Sequence, residues 1–134
     1  MKKLFLLLFL IAPALAFADL QPGNWEMSVT TQFEGMPNAM GPMVQTQCFT
    51  AADVRDPQKV LGTATSGCEF TNERDTGSEF SFELQCKGQI QMQGSGRARY
   101  TPTTMEADIE IKGNAAGQQF TTRSRISGRR LGAC

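Results

Sequence analysis

Residues 80–111, FSFELQCKGQIQMQGSGRARYTPTTMEADIEI, decide the fold. Phe80, Phe82, Leu84 and Cys86 recur at every second position with polar residues between them, the spacing of a strand that buries one face. Lys87-Gly88 turns the chain. Ile90, Met92, Gly94, Gly96, Ala98 and Tyr100 continue at period two, and Thr101-Pro102-Thr103 turns into Met105, Ala107, Ile109 and Ile111. Strands joined by such short turns pair antiparallel, because a parallel connection needs a crossover of about a dozen residues or more. Gly94 and Gly96 leave room on the apolar face for a close neighbour or a sharp bend.

The same pattern extends outward. Cys68 and Phe70 precede a turn at Asp75-Thr76-Gly77-Ser78, and residues 113–117 lead to Phe120, Thr122, Ser124 and Ile126. Asn24 to Phe33 alternates strictly, with Trp25, Met27, Val29, Thr31 and Phe33 on one face and Glu26, Ser28, Thr30 and Gln32 on the other. Residues 35–43 hold two prolines and two glycines without a period and read as a loop. Val44, Thr46 and Cys48 form a short strand after it. Thr50 to Leu61 is the helical candidate: Thr50 caps a turn with Asp53 three residues on, and Asp56-Pro57 opens another with Pro where its missing N–H costs nothing. Residues 62–67 form a small-residue linker. A sheet with one apolar face must roll up or pack on a second layer, and one short helix cannot cover it. The expected fold is all-β: a single antiparallel meander of about seven strands forming a small barrel or strongly coiled sheet, with a two-sheet sandwich as the alternative.

Residues 1–18 read as an export signal. Lys2 and Lys3 form the positive start, Leu4 to Ile11 the apolar stretch, and Ala16-Phe17-Ala18 a small-x-small cleavage site before Asp19. The apolar run is too short to span a bilayer, so a signal peptide over 1–18, one disulfide-bonded domain over 19–134 and a periplasmic destination are expected, with no transmembrane segment in the mature chain. Without the two leader lysines the rest carries a small negative net charge, which gives no support to nucleic-acid binding. The 134 residues include no His, so the commonest general base and the commonest metal ligand are both missing. Serine triads, Cys–His dyads and His-ligated haem are excluded.

Cys48, Cys68, Cys86 and Cys134 make an even set without the close CxxC pairs of zinc ribbons or redox motifs. Centring the hairpin on Gly77 puts Cys68 opposite Cys86, and the expected pairing is Cys68 with Cys86 and Cys48 with Cys134, the other two connectivities remaining open.

Several local patterns together resemble a known family. Pro22-Gly23-Asn24-Trp25-Glu26, Gly35-Met36-Pro37, Cys48-Phe49-Thr50, Gly67-Cys68, Cys86, Gly94-Ser95-Gly96 and the closing Ile126-Ser127-Gly128-Arg129-Arg130-Leu131-Gly132-Ala133-Cys134 are similar to small exported proteobacterial proteins classified only as a domain of unknown function. The resemblance implies a periplasmic setting and the four-cysteine pattern. It brings no reaction, ligand or catalytic residue.

Glu106, Asp108 and Glu110 share one strand face, as a cation site or acid/base pair would, but a solvated outer face balanced by Arg97, Arg99, Arg123 and Arg125 accounts for them. Arg129 and Arg130 sit on opposite faces of the last strand, so one should point inward or lay its stem across Trp25. Met36, Met40 and Met43 gather in the loop of residues 35–43, where thioethers offer a pliable contact surface or a soft Cu(I) site. No catalytic residue, cofactor or resident metal is expected. The function expected is a monomeric, non-catalytic binding module for an apolar small molecule or lipid held among Trp25, Phe80, Phe82, Met92, Tyr100 and Phe120. The alternative is an envelope protein-interaction or Cu(I)-handling protein using the Met loop. Met36, Met40, Met43, Trp25, Arg129 and Arg130 are the candidate contact residues.

Overall fold

The computed structural model describes residue 17, residues 19–88 and residues 90–134. The signal segment therefore lies outside the described residues except for Phe17. Seven strands form one antiparallel sheet: β1 Gly23–Phe33, β2 Met40–Phe49, β3 Cys68–Asp75, β4 Glu79–Cys86, β5 Met92–Tyr100, β6 Thr104–Ala115 and β7 Gln118–Gly132. Their order across the sheet is β2-β1-β7-β6-β5-β4-β3. The meander from β3 to β7 follows the turns read in the sequence, and β7 then returns the chain to β1, which it pairs from Asn24↔Gly132 to Phe33↔Thr122.

The sheet curls without closing into a barrel. Its edges, β2 and β3, do not pair, because the chain between them is helical and stands in the gap. A 3-10 turn Asp53–Arg55, helix α1 Pro57–Leu61 and a 3-10 turn Gly62–Thr65 bury Val54, Val60 and Leu61 in the core. Gln58 Nε2 donates to the Cys68 carbonyl at 2.9 Å, tying the segment to β3, while residues 56–67 share a groove with Gln45, Thr46 and Gln47 of β2. The capping signals act as expected. Thr50 N–H donates to Asp53 Oδ2 at 2.9 Å and Asp53 N–H to Thr50 Oγ1 at 3.1 Å, and Asp56 caps α1 ahead of Pro57.

The predicted inner faces form one core, with Trp25, Met27, Phe80, Phe82, Leu84, Ala98, Tyr100, Met105, Ala107, Ile109 and Ile126 all buried. Gly96 lies against the Phe82 ring, where any β-carbon would collide with it. Several boundaries differ from the sequence expectation, among them Gly62–Thr65, read as linker but folded as a 3-10 turn, and β6, which runs to Ala115. β2 starts at Met40, inside the supposed loop, because the Gly41-Pro42 interruption is absorbed as an irregularity opposite Val29 and Thr31 instead of ending the strand. β5 starts at Met92, leaving Ile90 outside it and 40% exposed. β7 runs to Gly132, which makes Arg129 and Arg130 ladder residues on the last strand, as read from the sequence.

Both disulfides pair as expected, Cys48–Cys134 and Cys68–Cys86. Cys68 does face Cys86, yet by a route the sequence did not reveal. Next to the turn the register is Asp75↔Phe80 and Arg74↔Ser81, a phase that would carry Cys68 to Lys87. An extra residue in β3 between Thr71 and Arg74, with Asn72 at φ 49°, restores Thr71↔Glu83 and brings the two cysteines opposite each other.

Candidate contact surface

The β1–β2 hairpin carries the most exposed apolar side chains. Met36, Met40, Met43 and Val44 are 55%, 58%, 73% and 59% exposed. The hairpin is held from its polar side, where Gln32 Nε2 donates to the Met36 carbonyl at 2.8 Å and Met36 N–H to the Phe33 carbonyl. Residues 35–52 contain no charged side chain. Met40 and Met43 stand opposite Thr31 and Val29 on one face and Val44 opposite Ser28 on the other, so apolar surface is exposed along both sides of an uncharged stretch of edge strand. Among the described residues no group of three or more His, Cys, Asp or Glu is placed to hold a metal ion.

The structure separates the other candidates from this stretch. Trp25 is 1% exposed, its indole N–H donates to the Gln21 carbonyl at 2.9 Å, and its ring neighbours Phe49 at 6.3 Å. It is a core residue and cannot touch a partner, which corrects its place among the contact residues. Arg129 is on the polar face and binds Glu26 at 3.0 Å, a bond that lifts its already high pKa further. Arg130 stands opposite Trp25 on the inner face, half-buried, with Nε donating to the Pro22 carbonyl at 2.9 Å. Both arginines thus have partners within the fold that join β7 to the start of β1.

Glu106, Asp108 and Glu110 face arginines across the ladder, Arg99↔Glu106, Arg97↔Asp108↔Arg125 and Glu110↔Arg123. Arg123 Nε meets Glu110 Oε2 at 2.9 Å and Arg125 Nε meets Asp108 Oδ1 at 3.1 Å. The hydrogen bond from Arg123 is the main reason the Glu110 carboxyl lies below its ordinary pKa, with the charge of Lys112 adding to it. A carboxylate held ionised in this way is a poor proton donor at neutral pH. These rows floor an open groove of about 970 Å³ on the polar face, lined by Ser95, Arg97, Asp108, Glu110, Arg123 and Arg125 among others. Sequence parity put these side chains on one face but gave no sign that the sheet's coiling makes that face a groove.

A second cluster was not anticipated. Asp75, at the end of β3, accepts the Tyr100 hydroxyl at 2.6 Å and Gly77 N–H at 2.8 Å on Oδ1, and Phe17 N–H at 3.0 Å on Oδ2. The Phe17 ring, fully buried, lies 5.1 Å from those of Phe80 and Tyr100. Burial, then the bond to Asp75, raises the Tyr100 pKa well above its ordinary value. Tyr100 being the lone tyrosine and Asp75 a turn acid were both visible in the sequence; that a residue of the leader region would meet them was not.

Residues 20–134 match the family described as protein of unknown function (DUF3617). The chain belongs to that family. No curated protein and no solved structure matches it. For this DUF3617 chain, membership covers the whole sheet, both disulfides and the Met hairpin, and assigns chemistry to none of them.

Proposed function

We propose that the chain is an exported, non-catalytic interaction protein of the cell envelope that docks an apolar surface of a partner protein on Met36, Met40, Met43 and Val44. The exposure of those four side chains within residues 35–52, a stretch without a charged side chain, carries this reading. Unbranched thioethers adapt to irregular apolar surfaces, and three of them with Val44 beside them, all without a cover, are a contact site. Docking is through side chains. Strand addition to this half of β2 is disfavoured by Pro42, which has no N–H to donate, and by the irregular register around it. With no cation within residues 35–52, anionic lipid headgroups have no counter-charge to find there.

Export is supported by the leader sequence and by two disulfides, which persist in oxidising compartments. A non-catalytic role is supported by the lack of His and by the arginine partners of the acidic strand. The interior lipid reading is the weaker one, since Trp25, Phe80, Phe82 and Tyr100 are each at most 4% exposed and fill the space a ligand would need.

A photocrosslinker at position 43 in the exported protein, with one at position 125 as control, tests the proposal in living cells. A discrete protein adduct from 43 alone is expected, insensitive to salt and lost when Met36, Met40 and Val44 become Ser. That triple change should alter stability by no more than about 1 kcal/mol, as for surface substitutions. Stoichiometric Cu(I) uptake without an adduct would favour metal handling, and a lipid retained in native mass spectrometry would favour the interior site.

A further inference from the structure

We infer that the leader is removed between Ala16 and Phe17, and that the new α-ammonium of Phe17 locks into the fold as an ion pair with Asp75. This rests on the export reading above. Three small-x-small triplets overlap in the sequence, Ala12-Pro13-Ala14, Ala14-Leu15-Ala16 and Ala16-Phe17-Ala18, and each satisfies a leader peptidase. The fold disfavours the last, and only cleavage after Ala16 puts the new ammonium on the nitrogen that meets Asp75. Phe17 is 0% exposed, its ring 5.1 Å from both Phe80 and Tyr100, and its main-chain nitrogen lies 3.0 Å from Asp75 Oδ2. Leu20, 5% exposed, closes the turn by donating its N–H to the Phe17 carbonyl at 3.0 Å, and Gln21 N–H reaches the Pro102 carbonyl. The contacts of the folded domain therefore include Phe17. Cleavage after Ala18 would discard a buried phenyl ring, leave a void beside Phe80 and Tyr100, and strip Asp75 Oδ2 of its donor.

Hydrolysis after Ala16 keeps all of these contacts and strengthens one. Water adds across the Ala16–Phe17 amide: the hydroxyl goes to the Ala16 carbonyl, which leaves as a carboxylate, and the nitrogen becomes an ammonium at neutral pH. An amide-to-carboxylate hydrogen bond thereby becomes a charge-assisted one at an unchanged nitrogen position. The other Asp75 oxygen is already held by Tyr100 and Gly77, so the carboxylate is aimed in advance. Processing and folding are then coupled, since the lock is complete only in the processed chain.

Intact-mass spectrometry of the exported protein, disulfides intact, reads the new N-terminus, and acylation of its α-amine at neutral pH reads the pairing. The expected result is a chain beginning at Phe17 whose α-amine reacts at least about tenfold more slowly when folded than in urea, because one unit of pKa elevation leaves about tenfold less free amine. Asp75→Asn should bring the folded rate up toward the urea rate. The urea comparison on the unsubstituted protein stands even where that variant fails to fold. A chain beginning at Leu15 or at Asp19 would overturn the inference and leave export intact. One still beginning at Met1 would overturn both, and a Phe17 amine equally reactive folded and unfolded would overturn the ion pair.

Discussion

At the residue scale, the two lone aromatics report on the core. Trp25 opens the inner face of β1 and is sealed by Phe49 and by its own bond to Gln21. Truncating a buried aromatic costs about 3–5 kcal/mol against a total of about 5–15 for a domain. Trp25→Ala should therefore lower the urea midpoint more than any other single apolar truncation, and an unchanged midpoint would show that the indole is not core. Tyr100 makes a cleaner probe, since the chain has one tyrosine. Burial first, then its hydroxyl's bond to Asp75, pushes its pKa up, while the unfolded phenol ionises near 10. A group whose folded pKa is raised stabilises below the unfolded pKa and loses that contribution as pH rises. Ultraviolet titration should show no phenolate at pH 10 in the folded protein, and its appearance above that should coincide with loss of tertiary circular dichroism. A normal titration at pH 10 would contradict the buried Tyr100–Asp75 bond. Inward residues such as these were legible because period two assigns each side chain a face; the partner of Asp75 was not, since it comes from 58 residues upstream.

At the scale of elements, alternation located all seven strands but not their irregularities. Gly41-Pro42 looks like a stop, yet pairing with β1 resumes beyond it, because a neighbouring strand can tolerate one offset in exchange for the rest of its ladder. The β3–β4 hairpin teaches the same lesson in reverse. Its register next to the turn and its register at the cysteines differ by one residue, and the extra residue around Asn72 reconciles them. Nothing in the local sequence demanded this. Deleting Asn72 should remove the extra residue and make the ladder continuous, leaving Arg74 opposite Ser81 and Cys68 opposite Cys86. The deletion protein should form both disulfides and leave no reactive thiol. Reactive Cys68 and Cys86 would mean that the outer half of β3 needs the bulge to reach its register.

At the scale of the whole molecule, whether a seven-strand sheet closes depends on what stands between its edges, and parity along strands is silent on that. Here the helical residues between β2 and β3 hold the edges apart and cap the core, so the sheet keeps two unpaired margins, β2 and β3. The two disulfides constrain this open architecture unequally. Cys68–Cys86 clasps a hairpin with a sequence separation of 18, whereas Cys48–Cys134 ties the edge strand to the chain's last residue over a separation of 86. In the chain-entropy view, loops of these lengths restrict the unfolded state by about 3 and about 4.6 kcal/mol respectively. The longer bridge also fastens the end of β7, which carries Arg129 to Glu26 and Arg130 to Pro22, to the strand pair that displays the methionines. Replacing Cys48 and Cys134 together with Ser should thus destabilise the protein more than replacing Cys68 and Cys86. Hydrogen exchange should rise first at the β1–β7 end near Gly132 and along β2, while β4, β5 and β6 keep their protection. Equal loss of protection in all seven strands would instead mean that the sheet unfolds as one unit and that its open edge has no separate freedom with which to fit a partner.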